Sequence, residues 1–212
     1  MAGVVEVALT LSVTALCHGR PELAAEVKTR EREVDRQEVK IERECLRVLA
    51  LYEPVASDFR RVLTVLRVNR DLERVSDLAA RIAKRAARLS VDPGPLPIPE
   101  TLESLAGEAL DAVRKALDAL SRSDAAAARA VIAGDKQIDK WRRTVRDGLT
   151  ESIRRDPERV KDWLRLLDIA RHLERVGDHA ASIAEAVVYL NEGQIIRHSE
   201  RPRKGGPRRE VL

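Results

Sequence analysis

Two segments of the chain, Arg70-Asp-Leu-Glu-Arg-Val-Ser-Asp77 and Arg171-His-Leu-Glu-Arg-Val-Gly-Asp178, share six of their eight residues at a separation of 101 positions. The same separation relates leucines, isoleucines and alanines on both sides of these segments, and it becomes 104 nearer the start of the chain. Self-similarity at a nearly constant separation indicates one structural unit written twice. We therefore predict a tandem repeat.

A proline-rich stretch separates the two copies. Residues 90–99 contain four prolines, which cannot continue a helix and favour a stiff, extended connection. We predict a first unit at 1–89, a linker at 90–99, a second unit at 100–192 and a basic, flexible tail at 193–212.

Composition and spacing favour helices throughout both units. The chain is 44% apolar but only 2% aromatic, and it is rich in Ala, Leu, Arg and Glu, which are good helix formers. Prolines at positions 54 and 157 and the cap residue Asp124 mark turns between helices. Long helices joined by short turns pack antiparallel, so we predict an all-α fold of two tandem antiparallel three-helix bundles. The predicted helices span 2–17, 22–52, 55–89, 100–120, 124–155 and 158–191.

The third predicted helix shows which face is buried. Apolar side chains recur there at intervals of three and four residues, which is the pattern of a stripe facing neighbouring helices. The stripe consists of Val68, Leu72, Val75, Ala79, Ile82 and Ala86.

The first predicted helix is shorter than its counterpart. It starts at residue 2, whereas the fourth helix includes the additional segment Glu100-Thr-Leu-Glu-Ser-Leu105. We therefore expect the first bundle to be partly open.

The positive charge is concentrated at one end of the chain. The formal net charge is +4, and the residues after Gly193 carry six basic and two acidic side chains. The remaining body is about neutral, so we do not expect nucleic-acid binding. The apolar start contains Glu6 and is too short to span a bilayer. We expect a cytoplasmic protein, with Cys17 and Cys45 as free thiols.

Four predicted helices each carry an acidic residue followed by an aspartate four positions later. This spacing places both carboxylates on one face of a helix. Like charges so placed cost about 0.2–0.5 kcal/mol in an isolated helix, so a pattern repeated at four related places calls for a counter-charge. The pairs are Glu31 with Asp35, Glu73 with Asp77, Asp135 with Asp139 and Glu174 with Asp178.

Two kinds of counter-charge fit this pattern. Arg70, Arg74 and Arg81 could neutralise the acids of the first copy, and Arg171 and Arg175 those of the second. Alternatively, two helices could share a cation, because clusters of oxygen ligands suit Mg²⁺, Mn²⁺ or iron. The repetition of the pairs in both copies favours the metal interpretation.

Other polar residues near the pairs have simpler interpretations. Glu38 and Glu42 extend the first acidic stripe, and we expect an ordinary exposed face there. His172 and His179 lie beside the last pair, where nitrogen ligation is conceivable but a structural or solvated histidine is expected. The sequence contains neither a glycine-rich phosphate loop nor a Ser-His-Asp or Cys-His arrangement, so we do not expect an enzyme.

Several of these segments together resemble a known family. The runs Glu31-Arg-Glu-Val-Asp35, Glu53-Pro-Val-Ala-Ser-Asp-Phe-Arg60, Leu72-Glu-Arg-Val-Ser-Asp77 and Leu173-Glu-Arg-Val-Gly-Asp-His-Ala180 are similar to the hallmark motifs of the PhoU family, including its E(D)xxxD signatures. The resemblance covers nearly the whole body of the chain up to Gly193.

The resemblance implies two three-helix bundles that hold metal ions on their surfaces. The metal would be an iron cluster, with Mg, Mn or Zn as alternatives. Carried over by position, the first site would use Glu31, Asp35, Glu73 and Asp77, and the second would use Asp135, Asp139, Glu174 and Asp178.

The resemblance also implies a function. Such a protein would be a negative regulator of phosphate-starvation signalling, the Pho regulon, and of phosphate uptake. It would act as an adaptor between the ATP-binding subunit of the phosphate ABC transporter and a sensor histidine kinase, as a homodimer that meets the membrane only through these partners. A metal-binding or metal-storage protein without a signalling role is the alternative.

Overall fold

The computed structural model describes residues 1–89 and 96–196, and these residues form six long α-helices. A single 3-10 turn, Pro157–Arg159, directly precedes the last helix. The helices are α1 (Ala2–Cys17), α2 (Leu23–Tyr52), α3 (Ala56–Ala86), α4 (Glu100–Arg122), α5 (Ala125–Arg155) and α6 (Val160–Glu192).

The predicted all-α architecture is confirmed. α1, α2 and α3 pack on one another as one bundle, and α4, α5 and α6 pack as a second. The bundles meet mainly along α3 and α6, with a smaller contact between α1 and α4. The predicted apolar stripe of α3 is buried throughout. It belongs to one hydrophobic core that runs through both bundles.

The helix ends differ from the predicted ones by a few residues, for local reasons. The side chain of Asp124 accepts a hydrogen bond from the backbone N–H of Ala127 at 2.9 Å, which confirms the predicted cap of α5. α3 begins at Ala56, two residues after Pro54, because Glu53 takes a left-handed conformation and ends α2. In the last predicted turn of α3, backbone hydrogen bonds join residues three apart instead of four. The Arg88 N–H, for example, donates to the Arg85 carbonyl.

Polar contacts supplement the apolar contact between the bundles. Asp71 on α3 accepts a hydrogen bond from Ser182 Oγ on α6 at 2.8 Å, and its other oxygen lies 2.9 Å from His179 Nδ1. Arg85 on α3 pairs with Asp168 on α6 at 3.3 Å. These contacts fix the register of α3 against α6, the two helices that carry half of the acidic pairs.

The predicted difference in length between the first helices of the two bundles is also present. α1 has 16 residues and α4 has 23. α2 and α3 therefore extend beyond α1, and apolar side chains near their shared turn, such as Leu51 and Val55, are exposed.

Two predicted segments are only partly described. Of the predicted linker, residues 90–95 lie outside the described residues, and Leu96 packs against the core. Of the predicted tail, residues 197–212 lie outside them. None of the described helices is long and apolar enough to cross a membrane. The two cysteines are free thiols, with Cys45 buried and Cys17 partly buried.

Candidate metal centre

The first acidic cluster lies where α2 and α3 pack side by side. Glu31 on α2 is buried, with 7% of its surface exposed. One of its carboxylate oxygens, Oε1, accepts a hydrogen bond from Lys28 Nζ at 2.5 Å. The other, Oε2, is buried and has no hydrogen-bond partner within the described residues. A buried, unpaired carboxylate oxygen is costly, so this atom is a candidate ligand.

The charges of the two helices act on one another across the first cluster. Partial burial raises the pKa of Asp35, and the carboxylates of Glu31 and Asp77 raise it further. Burial also raises the pKa of Glu73, with the charge of Asp77 as the next cause and Arg74 opposing both. The tertiary structure thus brings the two pairs into a single electrostatic cluster, as the metal hypothesis requires.

In the second cluster, between α5 and α6, burial and neighbouring acids also raise the pKa values of carboxyl groups, and the largest rise is at Asp135. Burial, followed by the charges of Asp178, Asp139 and Glu174, raises the pKa of Asp135 to about 6. Partial burial and then the charge of Asp139 raise the pKa of Asp178. All four predicted residues of this cluster therefore lie close enough to repel one another.

A glycine allows α5 and α6 to approach closely at the second cluster. A Cβ atom on Gly177 would lie 2.7 Å from Ile138 Cδ1 and 3.6 Å from Asp135 Oδ1. The equivalent residue of the first repeat is Ser76, which is fully buried. Gly177 thus brings the α5 acids toward Asp178, a role that sequence reasoning missed although the serine-to-glycine difference between the repeats is visible.

Arginines neutralise part of each cluster, as the alternative hypothesis predicted. Arg74 pairs with Glu73 at 3.2 Å and lies 3.7 Å from Asp77, and Arg81 lies 3.9 Å from Asp77. The predicted Arg70 instead lines a pocket beside Asp71. These are partly exposed pairs, which contribute little to stability.

In the second cluster the prediction for Arg171 was wrong. This side chain turns back along α6 to Asp168, at 3.2 Å, one turn from its own position. Arg142 on α5 pairs with Glu174 at 3.1 Å instead. Arg142 occupies the position that Glu38 has in the first repeat, 104 residues earlier. A comparison of the two acidic stripes could therefore have identified it.

The two clusters therefore differ in charge. In the first, the carboxylate of Glu38 adds to the causes that raise the pKa of Glu73. In the second, Arg142 lowers the pKa of Glu174 against the larger effect of burial. The first cluster thus has a carboxylate at the position where the second has a guanidinium.

Neither histidine is among the acids of these clusters, although His179 lies near enough to Asp178 to oppose the rise of its pKa. His179 contacts Asp71 between the bundles. His172 is buried, and its two ring nitrogens have no hydrogen-bond partner within the described residues. Burial, followed by the charges of Arg85 and Arg171, lowers the pKa of His172 to about 4, so the ring is neutral.

The donor atoms suit a hard or borderline cation, because both clusters offer carboxylate oxygens. In residues 1–89 and 96–196, no three acidic, histidine or cysteine side chains are arranged so that they could hold one metal ion. The structure thus brings together the residues that the sequence predicted without completing a coordination shell.

Comparison with known proteins places the chain in a family. The family model for the PhoU domain matches residues 1–86 and matches again at residues 102–187. The chain belongs to the PhoU family. The two matched segments correspond to the two bundles, and each contains one of the acidic clusters.

Curated relatives and a solved structure match over most of the chain. It is 36% identical over 199 residues to a phosphate-specific transport system accessory protein PhoU homolog from Pseudomonas putida, covering 93% of this chain and 77% of the relative. It is 35% identical over 205 residues to the protein of the same name from Aquifex aeolicus, covering 97% and 92%. The crystal structure of PhoU from Pseudomonas aeruginosa superimposes with a TM-score of 0.87 at 34% identity, covering 92% and 93%.

Proposed function

We propose that this protein is an accessory protein of phosphate transport that restrains phosphate-starvation signalling and phosphate uptake. Membership of the PhoU family over both bundles carries the proposal, together with relatives that are named accessory proteins of the phosphate-specific transport system. The described residues offer long helical surfaces, which suit a protein that acts by contact.

The proposed partners are the ATP-binding subunit of a phosphate ABC transporter and a sensor histidine kinase. In this role the protein is a cytoplasmic adaptor, works as a homodimer and reaches the membrane through its partners. The two bundles form one continuous core, and their acidic clusters differ in charge, so the adaptor has two related but unequal halves. Such halves are suited to two different partners.

Metal binding is the second component of the proposal. Glu31, Asp35, Glu73 and Asp77 would hold one centre, and Asp135, Asp139, Glu174 and Asp178 the other. Bound cations would neutralise carboxylates that now repel one another and would tie α2 to α3 and α5 to α6. The unpaired Oε2 atom of Glu31 and the raised pKa of Asp135 support this component.

A deletion strain tests the regulatory role. A reporter under a phosphate-repressed promoter is measured in high phosphate with the gene present, deleted, and restored by the wild-type chain. Deletion of the gene should raise expression of the reporter in high phosphate, and the wild-type chain should restore repression. Unchanged repression in the deletion strain would contradict the proposal, and combined with stoichiometric metal in the purified protein it would indicate the alternative of metal storage.

A further inference from the structure

A cavity of about 200 Å³ lies where the two bundles meet, between the N-terminal half of α3 and the C-terminal half of α6. About seven water molecules would fill this volume, and it is smaller than the roughly 300 Å³ at which cavities accept drug-sized ligands. Arg70 is exposed at its rim, so the cavity is open to solvent. The main lining residues are Arg67, Arg70, Asp71, Ser182, Ala186 and Tyr189.

Two arginines of α3 line this cavity without an acidic partner. The guanidinium of Arg67 lies over the ring of Tyr189, 4.9 Å from the ring centre. Within residues 1–89 and 96–196, neither Arg67 nor Arg70 forms an ion pair or a side-chain hydrogen bond. Their hydrogen-bond donors are therefore available to a ligand in the cavity.

The two acids that line the cavity already have contacts. Glu185 is not free. One oxygen of Asp71 accepts a hydrogen bond from Ser182 Oγ, and the other lies 2.9 Å from His179 Nδ1. Each carboxylate oxygen can accept two hydrogen bonds, so Asp71 retains acceptor capacity. The cavity thus combines guanidinium donors with a carboxylate acceptor.

The repeat shows how the corresponding place at the other end of the α3–α6 contact is filled. Because α3 and α6 are equivalent helices of the two repeats, each place along their contact has a counterpart in which the helices exchange roles. At that counterpart Asp168 on α6 pairs with Arg85 on α3 at 3.3 Å and with Arg171 at 3.2 Å. A carboxylate of the chain itself therefore holds two guanidiniums together.

The cavity differs from this arrangement because two residue types have changed. At a separation of 101 positions, Arg67 corresponds to Asp168 and Ala186 corresponds to Arg85. The small alanine leaves space where the other end has a long side chain. The arginine in place of the aspartate removes the carboxylate that would pair with Arg70. An anion from solution would restore the missing charge.

We propose that this cavity binds inorganic phosphate, as hydrogen phosphate, between the guanidiniums of Arg67 and Arg70, with the phosphate O–H donating to Asp71. Guanidiniums bind phosphate oxygens through paired, charge-assisted hydrogen bonds. A carboxylate acceptor selects a protonated anion, because phosphate keeps at least one proton at neutral pH whereas sulfate keeps none and is repelled. The site would give the regulator a direct contact with phosphate, but it follows from the cavity and not from the regulatory role.

Equilibrium dialysis with radiolabelled phosphate tests the site on the full chain, freed of metal by a chelator. We expect saturable binding, for which sulfate competes at least tenfold less effectively than phosphate. Arg67→Gln should weaken binding at least tenfold because it removes a guanidinium, and Ala186→Leu should do so because it fills the cavity without a change of charge. Arg154→Gln is the matched control, since this arginine on α5 is 75% exposed. It should leave binding unchanged.

Four results would overturn the proposal. These are the absence of saturable binding at millimolar phosphate, equal weakening by Arg154→Gln, equal competition by sulfate, and binding that appears only when metal is added. The last would place the phosphate at an acidic cluster. Circular dichroism verifies that each variant is folded, and Arg67→Gln decides the outcome if Ala186→Leu is not. Binding is measured on the purified protein, so its failure is distinguishable from failure of the regulatory role in the reporter experiment.

Discussion

Gly177 on α6 faces Ile138 on α5 so closely that a Cβ atom on the glycine would stand 2.7 Å from Ile138 Cδ1. We expect Gly177→Ala to be less stable than Gly148→Ala by about 1–3 kcal/mol, because both alanines gain helix propensity but only the one at position 177 overpacks the core. Gly148→Ala, on the open side of α5 with nothing within 4 Å of the added atom, is the control. It should gain about 0.5–1 kcal/mol from helix propensity. Urea unfolding measures both, and equal gains would contradict the close approach.

The contact of Asp71 with Ser182 and His179 should stabilise the pairing of the two bundles. Asp71→Ala leaves two partly buried polar groups without their acceptor, and we expect a loss of about 1–3 kcal/mol. Asp147→Ala removes an exposed acid whose side chain is 70% exposed and should change stability by less than about 0.5 kcal/mol. Thermal unfolding of both variants tests this. A loss for Asp71→Ala no larger than that of the control would contradict the role.

The raised pKa of Asp135 predicts a pH dependence in the metal-free protein. The folded chain binds a proton here at about pH 6, against an ordinary value of 3.8, so between these values the folded state holds more protons than the unfolded state. Stability should therefore rise as the pH falls from 6 toward 4, and it should be lowest above pH 6. Asp135→Asn should flatten this profile and stabilise the protein at pH 7 by about 1–2 kcal/mol after solvent screening. An unchanged profile would show that neither burial nor the neighbouring acids raise the pKa of Asp135.

Neutralising acids in both clusters should remove bound metal. We expect stoichiometric metal in the purified wild-type protein and none in a variant with Glu73, Asp77, Glu174 and Asp178 changed to Gln or Asn. Elemental analysis measures this, and far-ultraviolet circular dichroism checks that the variant remains helical. Equal, negligible metal in both proteins would leave the arginine neutralisation as the sole counter-charge.

The charge difference between the clusters predicts unequal metal affinity. Arg142 pairs with Glu174, whereas its counterpart Glu38 adds negative charge to the first cluster. Arg142→Glu should therefore strengthen metal binding at the second cluster severalfold, and Glu38→Arg should weaken binding at the first. Titration calorimetry with Mn²⁺ as the probe distinguishes the two sites. Weaker metal binding by Arg142→Glu and stronger binding by Glu38→Arg would show that the acids of each cluster do not share a cation.

The repeat made much of this protein predictable. Apolar periodicity identified the buried face of α3, the prolines located the turns, and the cap at Asp124 was recognised, because each depends on interactions within a few residues. The eight acidic residues were also visible from sequence, because the i, i+4 spacing places their side chains on one helix face whatever surrounds it.

Tertiary packing decided which of these residues act together. Arg142 reaches Glu174 from a neighbouring helix, Gly177 brings α5 close to α6, and the packing of the helices buries the unpaired Oε2 atom of Glu31. Sequence by itself determined the helices and the acidic faces, because these follow from local spacing. The tertiary structure determined the burial and the pairing, because these depend on distances between residues that are far apart in the chain.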